Sequence, residues 1–316
     1  MAQEAKLPLI GRSQEISKIR ACLQAKRNVL LEGPVGVGKT HLALAVTQEL
    51  GLPVFRVDGD NRYSEQKLAG WFDPPTVIKK GFSADAFMPG PLVEAMRRGG
   101  VLFINELNRL PEGVQNILLP AIDERMILVP RLGEIRAAAG FLVIATQNPK
   151  EFVATSHLSE AILDRFELVV LDYQNEAEEV AILTPGAAPG TNAAWGLEED
   201  QAALLPLAAV KLARITRTSS RVKRGASVRA AQSVAEIAAV LIKKGTNFRE
   251  AFLTAALMAL PTRIEIQREA ESDLSFRHEV ESLIREWVKE VLDNLAIQNG
   301  MSTQGPNHDK ILKKKP

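Results

Sequence analysis

The chain has a single cysteine, Cys22, in 316 residues. A lone thiol closes no internal disulfide, which excludes a disulfide-stapled secreted scaffold and suits a reducing compartment. Its amphipathic surroundings read Cys22 as a small packing residue of a helix rather than a nucleophile. No stretch reaches the roughly 18 apolar residues that span a bilayer, and the opening MAQEAKLPLIGRSQE lacks the apolar run of a secretory signal. The expectation is a cytoplasmic protein without a membrane span. Neither sign of charge dominates: 39 Lys and Arg face 38 Asp and Glu, a net charge of +1. A chain-wide field for nucleic acid or an anionic membrane is thereby excluded, although local patches are not. The histidines, His41, His157, His278 and His308, have no Cys or His at metal-ligand spacing, so no zinc site is expected.

What is present is ordinary for a globular chain, with 46% hydrophobic and 24% charged residues. The length suggests one large α/β domain with a smaller companion. From Val29 to about Leu171, short apolar runs (VLLE, VFRVD, VLFIN, FLVIAT, ELVVLD) alternate with helical patterns. Such runs read as strands buried on both faces, and their alternation with helices predicts a parallel sheet covered on each side. Thr184–Gly196, TPGAAPGTNAAWG, has no period and reads as a linker. Residues 198–297 carry only helical periods, most clearly the stripe Val280, Leu283, Ile284, Trp287, Val288, Val291, Leu292 and Leu295. The domain reading is therefore 1–183 as nucleotide-type core, 184–196 as linker, 197–297 as an all-helical lid and 298–316 as a solvated tail. That tail ends in Lys313, Lys314 and Lys315.

Immediately after the VLLE run comes GPVGVGKT, followed by the helical HLALAVTQEL. This satisfies G-x-x-x-x-G-K-[ST] in its required strand, loop and helix context. Gly33, Pro34, Val35, Gly36, Val37, Gly38, Lys39, Thr40 and His41 are the candidate phosphate-binding residues. The glycines let backbone amides approach phosphate oxygens, Lys39 reaches the β and γ phosphates, and Thr40 offers Mg²⁺ a hydroxyl. VLFINE ends in Asn105 and Glu106 at the carboxyl end of a strand, the edge where open parallel sheets bind ligands. A carboxylate there can orient and deprotonate a water, a task assigned to Glu106. FLVIAT ends in Gln147 and Asn148, and an amide in that place can bond both the γ-phosphate and the attacking water.

In this order and spacing, GPVGVGKT, VLFINELNR, VIATQNP, SEAILDRFE and GASVRA resemble the AAA+ ATPases of the MoxR family over roughly residues 7–265. The resemblance implies a P-loop α/β fold with a smaller helical lid, and ATP with Mg²⁺ at their junction. It makes Gly33–Thr40 the Walker A loop, Asn105 with Glu106 the Walker B pair, Asn148 the first sensor, Arg165 the arginine finger and Arg229 the second sensor. Thr40 and Asn105 become the metal-side residues. It also implies a homo-oligomeric, hexameric ring that remodels a protein client, with a von Willebrand factor A domain partner. Arg109 and Arg125 are runners-up for the trans contact. Residues 71–90 and 124–140 correspond to a helix 2 insert and a hairpin before the first sensor.

One position departs from the family, which has Asp where this chain has Asn105. A charge about 5 Å from a dication is worth on the order of a few kcal/mol at an effective dielectric near 20. Asn keeps an acceptor oxygen but loses that charge, so weak hydrolysis and an ATP-gated scaffold form one alternative. A nucleic-acid motor is the other, because Lys211, Arg214, Arg217, Arg221, Lys223, Arg224 and Arg229 form a basic run without an acid. No aromatic residue interleaves that run to stack on bases, which weighs against nucleic acid. Ser227 is the expected N-cap of the helix carrying Arg229, and the small residues before it would allow approach to a nucleotide.

Overall fold

The computed structural model describes residues 9–148, 158–184, 195–267 and 275–298. They divide into two compact units between Gln174 and Asn175. The first opens with α1 (Ser13–Gln24), β1 (Asn28–Glu32), α2 (Lys39–Glu49) and β2 (Val54–Asp58). Next come α3 (Glu65–Ala69), β3 (Gly70–Phe72), α4 (Pro74–Lys80), β4 (Phe87–Pro89), α5 (Pro91–Arg98) and β5 (Val101–Asn105). The short helices α6 (Glu112–Asn116) and α7 (Leu118–Asp123) precede a hairpin of β6 (Met126–Val129) and β7 (Gly133–Arg136). β8 (Leu142–Gln147), α8 (Glu160–Leu163) and β9 (Phe166–Val170) complete the unit.

Five strands form one parallel sheet in the order β2-β5-β8-β1-β9. Side chains alternate across it. Val29, Leu31, Val101, Phe103, Leu142 and Ile144 pack with Ile19, Leu42 and Val46 of α1 and α2. Leu30, Leu102, Ile104, Val143 and Ala145 face the other way, against Leu92, Met96, Leu107 and Leu118. Burial on both faces holds for β1, β5 and β8. It fails for β2 and β9, which are edge strands; Leu168 and Val170 of β9 are 55% and 58% exposed. The hairpin turns where the sequence places it, with the Leu132 amide donating to the Val129 carbonyl at 3.0 Å. The insert between β2 and α5 forms an antiparallel β3–β4 pair with α4 between them, and the Arg131 guanidinium lies 4.1 Å from the Phe82 ring centroid, joining insert to hairpin. Cys22 packs at the edge of the α1 and α2 core, where burial pushes its thiol pKa up, with Glu167 adding to the effect.

The second unit holds α9 (Glu176–Leu183), α10 (Glu199–Thr218), β10 (Val222–Arg224), α11 (Val228–Lys243), α12 (Phe248–Ala259), β11 (Glu265–Ile266) and α13 (Phe276–Gln298). Its core joins Leu205, Val234, Phe252 and the α13 stripe through Val280, Ile284, Trp287, Val288, Val291 and Leu295. Alanines at 230, 231, 235, 238, 255 and 256 let α11 and α12 pack closely. Two features depart from the sequence reading. The unit contains a small antiparallel β10–β11 pair, so it is not purely helical. α9 also belongs with it rather than with the core ending at 183, because Leu183 joins the helical core and Glu179 pairs with α10. Trp195, at the end of the expected linker, is buried in the same core, whereas residues 185–194 and the tail 299–316 lie outside the described residues. Among the described residues no helix is long and apolar enough to cross a membrane.

The basic run is mostly paired with acids supplied by other elements. Lys211 meets Glu176 at 3.4 Å, Arg214 meets Glu179 at 3.6 Å, Arg221 meets Glu286 at 2.7 Å and Lys223 meets Glu265 at 3.0 Å. Arg217 is structural: its Nη1 binds Glu179 Oε1 at 2.6 Å and its Nε donates to the Ala226 carbonyl at 2.7 Å. A Cβ at Gly225 would come within 2.7 Å of the Arg217 Cα, so this glycine admits α10 to the loop before α11. Removing one partner of a buried pair strands the other charge. Glu179→Ala, at 1% exposure, is therefore expected to cost about 3–5 kcal/mol. Glu286→Ala, at 56% exposure, should cost about 1 kcal/mol or less. Thermal and urea unfolding of the two variants side by side check the contrast.

Candidate functional site

The carboxyl ends of the sheet strands meet the glycine-rich loop at one edge. β1 runs into Gly33, and Gly38 takes φ 89° just before α2, a left-handed conformation that glycine adopts without strain. Lys39 folds back over the loop, donating to the Gly33 carbonyl at 2.7 Å and the Pro34 carbonyl at 2.9 Å. Val35 is exposed, Val37 is buried, and Thr40 and His41 lie half-buried in the first turn of α2. Arg12, overlooked in the sequence, braces the loop from outside: its Nη2 donates to Val37 O at 2.9 Å and to Asp172 O at 2.7 Å.

Asn105 is the meeting point of the edge. Its Oδ1 accepts from Thr40 Oγ1 at 2.9 Å and from Thr146 Oγ1 at 3.1 Å, and its Nδ2 donates to Asp58 Oδ1 at 3.1 Å. The amide orientation follows from the partners, since the reversed amide would set Oδ1 against a carboxylate. The next residue, Glu106, sits at φ 58°, ψ 58°, a region costly for a residue with a Cβ. Thr146 holds it there by accepting the Glu106 amide at 2.9 Å. The Glu106 carboxylate is paired with Arg109 at 3.0 Å. Asn148 follows β8, which lies between β1 and β5, and it is buried.

Arg165, Arg109 and Arg125 have local partners. Arg165 grips Asp123 with Nε at 2.7 Å and Nη2 at 2.6 Å, and this hydrogen bonding raises its pKa further. The bonded acid comes from α7, 42 residues away in the chain, and Asp164 adds to the effect through space. Arg109 is engaged with Glu106, and Arg125 donates to the Ala138 carbonyl at 2.6 Å. Arg229 is exposed in the first turn of α11, in the other unit, behind Ser227, whose Oγ caps the Ala230 amide as expected. Gly225 of the preceding GAS packs against Arg217 of α10.

Asp58 and Thr146 were also missed. Thr146 reads as a buried strand residue, and only the register Asp58↔Asn105 brings Asp58 to the edge. Arg56 binds both oxygens of Asp58, with Nη2 at 2.7 Å from Oδ1 and Nε at 3.0 Å from Oδ2. That bonding holds the carboxyl below its usual range; burial opposes it and the Asn105 amide assists. Gly59 seals the end of β2, its amide donating to the Asn105 carbonyl at 2.7 Å.

Residues 28–166 match the family model of the AAA domain (dynein-related subfamily). An uncharacterized protein of Staphylococcus epidermidis is 35% identical over 156 residues, 49% of this chain and 59% of that protein. An uncharacterized protein of Staphylococcus aureus is 33% identical, with the same 49% and 59% covered. The match thus spans less than two thirds of these relatives' own length. Among solved structures, a RuvB variant of Thermotoga maritima is similar with a TM-score of 0.53 at 19% identity, over 93% of this chain and 84% of that one. The fold is that of an AAA+ P-loop NTPase, a five-stranded parallel sheet with surrounding helices and a helical C-terminal region.

The closeness of the β2 and β5 ends sets a steric test. A Cβ on Gly59 would lie 2.1 Å from the Glu106 carbonyl oxygen, which is rigid backbone. Gly59→Ala is expected to force the two strand ends apart and cost about 1–3 kcal/mol, as overpacking does. Circular dichroism melting against wild type measures it.

Proposed function

We propose that the chain binds ATP with Mg²⁺, hydrolyses it to ADP and phosphate, and works as a MoxR-type homo-oligomeric ring, hexameric in form, that remodels or activates a protein client. The observation that carries this reading is the convergence of Thr40, Asn105 and Glu106 at one strand edge beside the Gly33–Thr40 loop. In this reading Lys39 exchanges the Gly33 and Pro34 carbonyls for β and γ phosphate oxygens, and the amides at the start of α2 take further phosphate oxygens. Glu106 exchanges Arg109 for the attacking water, orients it and accepts its proton. Asn148 donates to the γ-phosphate and fixes the water beside it.

The residues present fit Mg²⁺. Thr40 Oγ1 and Asn105 Oδ1 are hard oxygens already 2.9 Å apart, and the Asp58 carboxylate adjoins them. Thr40 and Asn105 would hold Mg²⁺, which would supply positive charge to offset the negative charge developing on the phosphoryl group. Arg165 is the candidate for the trans contact; its pair with Asp123 is partly exposed, 28% and 40%, and so is exchangeable. Arg229, the von Willebrand factor A domain partner and the client rest on the family resemblance, and the cytoplasmic location on the lone cysteine and the lack of a bilayer-length apolar run in the sequence.

The nucleic-acid motor has less support. One RuvB structure of Thermotoga maritima is described as a Holliday junction branch migration motor, but its likeness to this chain concerns the fold. The basic run that would serve nucleic acid is engaged, five of its seven members meeting Glu176, Glu179, Glu265 or Glu286.

The test is Mg²⁺-dependent phosphate release against protein concentration, with oligomer mass recorded in parallel. Specific activity is expected to rise with assembly, and Glu106→Gln to lower kcat by about 10²–10⁴-fold. Assembly on ATP with no phosphate release by wild type would replace the motor by an ATP-gated scaffold.

A further inference from the structure

The magnesium side of the proposed ATP site lacks the carboxylate that the motif supplies at position 105. The missing charge lies one strand away. β2 and β5 are parallel neighbours whose last residues, Asp58 and Asn105, are direct register partners at the carboxyl edge. A continuous chain of hydrogen bonds runs from the Thr40 hydroxyl through Asn105 Oδ1 and Nδ2 to Asp58 Oδ1, at 2.9 and 3.1 Å. The backbone clamps this arrangement, because Gly59 donates to Asn105 O at 2.7 Å and leaves no room for a Cβ beneath Glu106 O.

We propose that Asp58 is the positioning carboxylate of the magnesium site, acting through the Asn105 amide, so that Asp58 and Asn105 together perform the task of a single Asp at position 105. The inference rests on the ATP reading of the site. Hydrogen bonding to Asp58 polarises the Asn105 amide and fixes its oxygen toward Thr40. The carboxylate adds the negative charge that favours a dication at this edge, as charged groups behind metal ligands do. Arg56 is the competing cation. Its pair with Asp58 is exposed, 48% and 59%, and exposed pairs hold weakly, so a divalent ion can draw the carboxylate's field to itself. The arrangement also explains why Asn suits position 105: an Asp there would face Asp58 across 3.1 Å without the amide donor that now joins them.

The experiment is equilibrium binding of a fluorescent, slowly hydrolysed ATP analogue, titrated with Mg²⁺ and repeated in EDTA. Wild type, Asp58→Asn, and the exchange variant Asp58→Asn/Asn105→Asp are compared, with melting curves confirming that each folds. Asp58→Asn is expected to raise the Mg²⁺ concentration at half-effect about 10–100-fold, while affinity in EDTA stays near that of wild type. The exchange variant is expected to bring the Mg²⁺ midpoint back toward wild type, a rescue that a merely structural role for Asp58 does not give. An unchanged Mg²⁺ midpoint in Asp58→Asn, with nucleotide still bound, overturns the inference and leaves the ATP reading standing. Failure of wild type to bind the analogue with or without Mg²⁺ overturns the ATP reading and this inference with it.

Discussion

Asn105 is the constraint on which the rest of the site depends. One amide side chain joins the P-loop helix through Thr40, the central strand β8 through Thr146, and the edge strand β2 through Asp58. The contacts to Thr146 and Asp58 exist because the strands run parallel in one register, and that register follows from apolar side chains alternating to two covered faces. Thr146 serves twice, donating to Asn105 and receiving the amide of the strained Glu106. Packing energy from the sheet core thus holds a catalytic candidate in a backbone conformation that it would not adopt alone.

Nearly every charge assigned a role is paired within its own chain. Lys39 is bound to loop carbonyls, Glu106 to Arg109, Arg165 to Asp123 and Asp58 to Arg56. The three carboxylate pairs sit at or near the surface, where a salt bridge contributes about 0–1 kcal/mol, so a ligand or a neighbouring subunit needs only to offer a better partner. The pair between Glu179 and Arg217 has the same chemistry and the opposite purpose. At 1% and 10% exposure it is a fixed strut that ties α9 to α10 and, through Ala226, to the start of α11.

The sequence shows clearly whatever is local. The Walker A spacing, the strand endings at Asn105 and Gln147, the hairpin near Pro130 and the Ser227 cap each depend on a few adjacent residues, and the structure has them where the pattern puts them. What escaped depends on residues far apart in the chain. Asp58 reads as the polar end of an apolar run until the register sets it beside Asn105, and Asp123 lies 42 residues from Arg165. The edge strands β2 and β9 carry the same apolar letters as the central ones, so composition could not separate them. Arg217 reads only as one member of a basic run, because its acid lies 38 residues earlier, beyond the expected domain boundary.

The central claim is that the Gly33–Thr40 loop binds a nucleotide and that Lys39 changes partner to do so. The most direct measurement is calorimetric titration of ATP analogue and Mg²⁺ into wild type and Lys39→Ala. The account predicts one nucleotide per chain for wild type and an affinity lower by about 10-fold or more for Lys39→Ala, the worth of charge-assisted hydrogen bonds. Equal affinity in the two proteins would contradict it, since the nucleotide would then lie away from the loop.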